Sequence, residues 1–393
     1  MQNNKYLISL FFLFLSFIST GQKTTLEESK TYPPLISNFQ TGPLKDIDML
    51  LNTQMAFSNY LVDSELMKSN FTVNNLRFEI KGKIHDKVYF RFRNRYSKVP
   101  DPNTIDNISR TVDLAHIIID VNSQSKLTIG KMIGDWGGYE LLMNPIENLA
   151  FNNIIEKSDI FLVGAAYTYS IPDSKSKFNV QLLNSRTKTF EEQYGINVPP
   201  NINETETPFV FVGNWKNSFF KGKLETSYSY CFNIDAEDTY RNYFTLGNKF
   251  KNHKFTLYYD FHYSLEDLDN KGIVSKSIKK QEMYAAQDVT YIENWLRAEY
   301  RIKQKVNLLL TIMNHNAYWN GNSELNKNNK FLYSYGFIPT IEYSPFEDLN
   351  LKFFIGYVGR KYNYSAFAES TYNAMDYSTG QLSIGIISPL LIL

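Results

Sequence analysis

The chain has 393 residues, with 41 basic and 40 acidic side chains, a net charge of +1 and a single cysteine. That balance offers nucleic acid no footing, and one cysteine excludes an intramolecular disulfide framework. A mean hydropathy of −0.34 with 21% charged residues excludes a helical membrane protein, while 16% aromatic residues suit rings packed at a membrane interface.

The first 21 residues read as a secretory signal peptide. Lys5 supplies the positive start, Tyr6–Ile18 the apolar run, and Ser19-Thr20-Gly21 a small-residue cleavage site. The apolar run is too short to span a bilayer, and no later segment supplies the roughly 18 apolar residues that a membrane helix needs. Residues 22–46 are expected to form a periplasmic linker, too short to plug a barrel, ahead of a membrane domain over 47–393.

From Met49 to Ile387 the chain alternates between strands and turns, and the connections take turns being short and long. The short joints are Gly82–Lys87, Val121–Lys126, Ile171–Lys177, Trp215–Gly222, Phe250–Lys254, Ile302–Lys305 and Ser344–Asp348. The longer polar stretches are Leu61–Asn70, Lys98–Asp113, Met132–Asp159, Ser185–Pro208, Asp235–Asn242, Leu265–Met283, Ala317–Lys330 and Lys361–Thr379. This rhythm predicts an all-β fold, an antiparallel up-and-down barrel of about sixteen strands in an outer membrane.

Two-residue periodicity separates the faces. Leu76, Phe78 and Ile80 point outward and Arg77, Glu79 and Lys81 inward. Across the next turn Val88, Phe90 and Phe92 oppose Tyr89, Arg91, Arg93 and Arg95. The same face stays apolar later: Phe255, Leu257, Tyr259, Phe261 and Tyr263 oppose Thr256, Tyr258, Asp260 and His262, and Leu349, Leu351, Phe353, Ile355 and Tyr357 oppose Asn350, Lys352, Gly356 and Arg360. Pro339 removes a ladder donor from the Phe331–Tyr343 strand and predicts a bulge there. The Phe209–Trp215 pattern is the other weak one.

About sixteen strands enclose a water-filled channel, because side chains can fill a barrel of only about eight. Arg77, Lys81, Arg91, Arg93 and Arg95 share the inner face of one tight hairpin, a concentration of cations that would draw anions along the wall. The competing reading is a structural lattice neutralised by Glu79 and acidic loop residues. Gly137-Gly138 lacks the lysine and helix start of a phosphate-cradling loop and reads as a hinge. Asp267, Asp269 and Asn270 miss the spacing of a calcium loop.

Asn75-Leu76-Arg77-Phe78-Glu79-Ile80-Lys81-Gly82, Tyr89–Tyr96, Asp113-Leu114-Ala115-His116, Gly130-Lys131 and Gly138-Tyr139-Glu140 with Asn144-Pro145 together resemble the phosphate-selective porin O and P family. The resemblance covers the first half well and the second half as strand rhythm. It implies a sixteen-stranded homotrimeric porin whose third loop, Met132–Asp159, folds inward to narrow the channel. Asp135, Trp136, Tyr139 and Glu140 would then sit in the constriction loop, with Lys131 and the arginines beside it. The chain ends Ser388-Pro389-Leu390-Leu391-Ile392-Leu393 rather than on an aromatic strand end.

The expected function is passive diffusion of small hydrophilic solutes, with a preference for phosphate or other small anions, in the outer membrane of a Gram-negative bacterium. Neither catalysis, cofactor, metal nor nucleic acid enters this reading, and membrane lipid is the surrounding partner. One alternative is an oligosaccharide channel with Tyr258, Tyr333, Tyr335 and Phe337 as an inward stacking path. Others are a barrel hydrolase, for which the inward His262 and His315 lack a serine pattern, and a structural or adhesive barrel.

Overall fold

In the computed structural model, residues 34, 46–98, 104–194, 198–279, 282–322 and 329–393 are described. The expected signal peptide and nearly all of the linker lie outside them. Sixteen strands form one closed barrel in which each pairs with its neighbours in sequence. They are β1 (Ile47–Val62), β2 (Glu65–His85), β3 (Val88–Arg95), β4 (Val112–Asp120), β5 (Ser125–Ile133), β6 (Phe161–Ser170), β7 (Lys177–Asn184) and β8 (Phe209–Phe219). The second half comprises β9 (Leu224–Ala236), β10 (Thr239–Lys251), β11 (Phe255–Leu268), β12 (Gln287–Lys303), β13 (Val306–Trp319), β14 (Lys330–Tyr343), β15 (Lys352–Tyr364) and β16 (Tyr377–Leu391).

The last strand closes on the first, with pairs from Leu50↔Leu391 to Val62↔Thr379. Closure removes both sheet edges, which is what hydrocarbon demands, since unpaired backbone groups have no water to bond there. The aliphatic end of β16 substitutes for an aromatic one without loss of pairing. Inner and outer faces follow the alternation in the sequence. Arg77 and Glu79 are buried while Phe92, Tyr259 and Ile355 are exposed on the outer surface. Outward rings cluster near the strand ends, where Trp215 packs edge-on to Phe219 and Tyr228, and Phe232 stacks on Tyr240 at 5.3 Å.

Four sequence expectations need correction. Leu61–Asn70 and Asp235–Asn242 are not long loops. β1 turns into β2 through Asp63 and Ser64 alone, with φ of 47° and 71°, and β9 turns into β10 through Glu237 and Asp238. The paired left-handed Asp63 and Ser64 match the twist of a two-residue hairpin. Asp63 also accepts hydrogen bonds from the Ser378 amide and hydroxyl, which secures the turn without glycine.

Pro339 makes no bulge. It sits opposite Leu310, and the β14–β15 register is the same at Phe337↔Gly359 and Thr340↔Gly356. Tyr333, Tyr335 and Phe337 alternate with the buried inward residues Ser334, Ile338, Thr340 and Glu342, so they face outward; Tyr335 is 46% and Phe337 45% exposed. That removes three of the four rings from the proposed sugar path. Finally, Leu349 and Leu351 belong to the turn before β15 rather than to the strand. Phe209–Trp215 is an ordinary part of β8, paired without a shift from Val210↔Asn233 to Phe219↔Leu224.

Candidate functional site

The connection from β5 to β6, residues 134–160, carries two short helices, α1 (Tyr139–Leu142) and α2 (Asn153–Lys157), and a 3₁₀ turn at Pro145–Glu147. Asn144 and Asn152 start the last two, each side chain accepting a backbone amide. A lone segment of this kind could not hold its shape in water, where helices this short are marginal. The wall holds it instead. Glu140, Ile146 and Ile154 are fully buried against inward residues.

The contacts follow the wall around. Asp135 accepts from Lys216 Nζ at 2.7 Å and from Asn179 Nδ2 at 2.9 Å, and its amide donates to Gln181 Oε1. The Trp136 carbonyl accepts from the Ser229 and Thr245 hydroxyls at 2.8 and 2.6 Å. The Glu140 amide donates to Asp260 Oδ2 at 2.7 Å, and the Ile154 amide to Glu293 Oε1 at 2.9 Å. Arg297 reaches the Glu147 carbonyl, Lys352 Nζ the Glu147 carboxylate at 3.0 Å, and Arg360 the Phe151 carbonyl. On the first strand, Gln54 Nε2 donates to the Ile146 carbonyl at 3.0 Å and Asn52 Oδ1 accepts from Asn144 Nδ2. The third loop is therefore a belt inside the barrel, tied from β7 around to β15 and on to β1. Among the described residues no hydrogen bond joins it to β2, β3 or β4.

One height of the wall is built to seat this belt. Ser229↔Thr245, Thr245↔His262, His262↔Glu293, Glu293↔His315 and His315↔Ser334 are cross-strand partners, a single inward row over six strands. Glu293 and His315 bond at 2.7 Å, and Tyr243 Oη meets His262 Nδ1 at 2.7 Å. Glycine lets the backbones close here. A β-carbon on Gly247 would stand 3.0 Å from Gly138 Cα.

The wall free of the belt carries the arginines. Asp113 lies between Arg95 Nη2 at 2.6 Å, Arg93 Nε at 3.4 Å and Arg77 Nε at 3.7 Å. Glu79 takes Arg91 Nε at 2.8 Å and Arg93 Nη1 at 3.8 Å. These four guanidiniums share two carboxylates, and Arg77 Nη1, Arg93 Nη2 and Arg95 Nε are buried without a hydrogen bond. Phe161 lies beneath Arg93 and Arg95, with ring centroid distances of 5.3 and 5.8 Å. The predicted six thus divide. Arg77, Arg93 and Lys131 are buried in ion pairs, the last with Asp106 at 2.9 Å, while the Lys81 and Arg91 side chains are 42% and 37% exposed and Arg95 lies between.

Of the expected constriction residues, Asp135, Trp136 and Glu140 are buried belt anchors, and Tyr139 is half-buried beside Tyr258 at 5.8 Å. Asp269 serves structure: it accepts from Tyr291 Oη and from the Ser275 amide and hydroxyl. Among the described residues no group of three or more His, Cys, Asp or Glu side chains is placed to hold a metal. Cys231 is buried among apolar neighbours.

The sequence model of the family described as phosphate-selective porin O and P matches residues 47–387, from the start of β1 to within the last residues of β16. The chain belongs to the phosphate-selective porin O and P family. As a member of that family it is a porin, a passive channel of the outer membrane through which small hydrophilic solutes diffuse. Its barrel is similar to the outer membrane channel DcaP of Acinetobacter baumannii, with a TM-score of 0.59 at 11% identity over 88% of this chain and 98% of that one. An anion-selective porin from Comamonas acidovorans gives 0.55 at 10% identity over 88% and 99%. Salmonella typhi OmpF, in a complex with daunomycin, gives 0.53 at 11% over 86% and 96%. At such identities the likeness is one of fold. No curated protein matches the sequence.

Sequence reasoning placed this porin's third loop but missed its seat. His262 and His315 read as isolated inward histidines, and only strand register brings Glu293 between them.

Proposed function

We propose that this porin prefers small anions, phosphate among them. One observation carries the reading: the stretch of wall without belt hydrogen bonds, β2 to β4, is also where four guanidiniums share two carboxylates. Solutes pass between the belt and that wall, along the exposed faces of Lys81, Arg91 and Arg95, while Arg77 and Arg93 supply a fixed positive field from behind and Lys131 is balanced by Asp106. A surplus of cations beside a water-filled path raises the local anion concentration, and forked guanidinium donors replace part of an anion's hydration. Asp135, Trp136, Tyr139 and Glu140 belong to the opposite side of the narrowing.

The mature chain begins after Gly21, residues 22–46 link it in the periplasm, and residues 47–393 form the channel. Three copies assemble in the outer membrane of a Gram-negative cell with lipid around them, as the family resemblance implies. Transport in this reading is diffusion without a catalytic step or cofactor. The test is the zero-current potential of single channels in a potassium chloride gradient, with phosphate and sugar added as competitors. A potential of the sign set by chloride, with block by phosphate and not by sugar, is the expected result. Cation preference or the absence of conducting events would sink it.

A further inference from the structure

The belt's seat contains an unusual concentration of unpaired buried groups. Glu140 Oε2, Asp260 Oδ1, His262 Nε2, Glu293 Oε2 and His315 Nε2 are all buried and none makes a hydrogen bond. Glu140 Oε2 and His262 Nε2 face each other at 3.9 Å. Glu140 Oε2 can therefore hold or lose a proton without breaking the bond that Glu140 Oε1 accepts from the Asn152 amide.

Around Glu140 the charged and titratable groups include Tyr243 on β10, Asp260 and His262 on β11, Tyr291 and Glu293 on β12, His315 on β13 and Arg360 on β15, the last paired with Glu156 of α2 at 3.5 Å. An ionised Glu140 carboxylate would lie buried beside the Asp260 and Glu293 carboxyls, and the one guanidinium near it, Arg360, is already shared with Glu156. Burying an unpaired charge is expensive, so the seated belt favours a protonated Glu140.

We propose that the His262–Glu293–His315 row is a seat that holds the belt while the Glu140 carboxyl above it is protonated and releases the belt as that proton is lost. Burial, with the Glu293 and Asp260 charges adding to it against the opposing Asn152 amide, holds the Glu140 carboxyl well above the ordinary carboxylate range. A carboxyl raised in the seated state leaves seating at full strength below its ordinary pKa and weakens it as pH rises toward the raised value. The channel is therefore narrowest in acid and loosens toward alkaline pH.

Hydrogen exchange of the Glu140, Asn152 and Ile154 amides decides this, because they donate directly to Asp260, Glu140 and Glu293. The wild-type porin is measured in detergent from about pH 5 to about pH 9, with rates divided by the intrinsic base-catalysed rate. Protection is expected to fall by up to about tenfold per pH unit for each proton released. In a Glu140→Gln, Glu293→Gln variant, which keeps the acceptors and removes the charges, protection should be flat. Wild-type protection that does not change with pH overturns the proposal, whatever the variant does. So does an undiminished slope in a folded variant. Because exchange is read without current, failure of the seat is distinct from failure of the channel reading.

Discussion

Gly138 in the belt lies against the Asp260 carboxylate on β11, where a β-carbon added to the glycine would stand 2.2 Å from Asp260 Oδ1. The Asp260 carboxylate in turn receives the Glu140 amide, so the close approach fixes where α1 begins. Neither residue can change size without moving the other.

Gly138→Ala should therefore lift the belt from the seat. Overpacking of this kind costs about 1–3 kcal/mol. A lower unfolding temperature by heat-modifiable gel mobility, together with a larger or noisier single-channel current, is the expected pair of results. Wild-type values of both would show that the belt has slack at this point.

The arginines should separate by burial. Arg91→Gln removes a partly exposed charge from the solute path, and its effect on stability should stay within about 1 kcal/mol. Anion over cation permeability should fall. Arg93→Gln removes a buried partner shared by Glu79 and Asp113 and should destabilise the barrel by about 1–3 kcal/mol. Reversal potentials and urea unfolding of the two variants give the comparison. Equal effects on both properties would contradict the division into surface and interior.

Phe337→Arg tests the corrected register of β14. On the lipid face a midplane arginine costs about 2–4 kcal/mol, whereas a ring turned into the aqueous channel could be replaced with little loss. Folding yield into lipid vesicles should drop sharply. A fully folded variant with altered conductance would return Phe337 to the lumen.

Ser64→Gly should stabilise the β1–β2 hairpin, since a serine held at φ 71° carries left-handed strain that glycine avoids. A gain of about 0.5–1 kcal/mol is expected, with Asp63 left in place to keep its bonds to Ser378. Denaturant unfolding of the refolded porin measures it. A loss would mean that the turn needs the serine side chain.

Much of the architecture was legible because a barrel wall writes itself into alternate residues. Arg77 and Glu79 against Phe78 and Ile80, or Asp260 and His262 against Tyr259 and Phe261, declare their faces without any knowledge of partners. Turn length was less legible. Asp63-Ser64 looks like loop composition, and without glycine nothing in the local chain announces two consecutive left-handed residues. The Phe331–Tyr343 phase was lost to a run of aromatics on an unusually ring-rich strand. The seat was invisible for a different reason: Thr245, His262, Glu293 and His315 become neighbours only through register on four strands, a long-range property that no window of sequence contains.

The belt also imposes an order of events on folding. Its bonds to Asn52 and Gln54 reach the first strand made, and those to Lys352 and Arg360 reach the last but one. These residues face one another around the same ring only after β16 has zipped onto β1. A fully fastened belt is thus a late product of assembly, and a barrel with an unclosed seam would leave its passage wide.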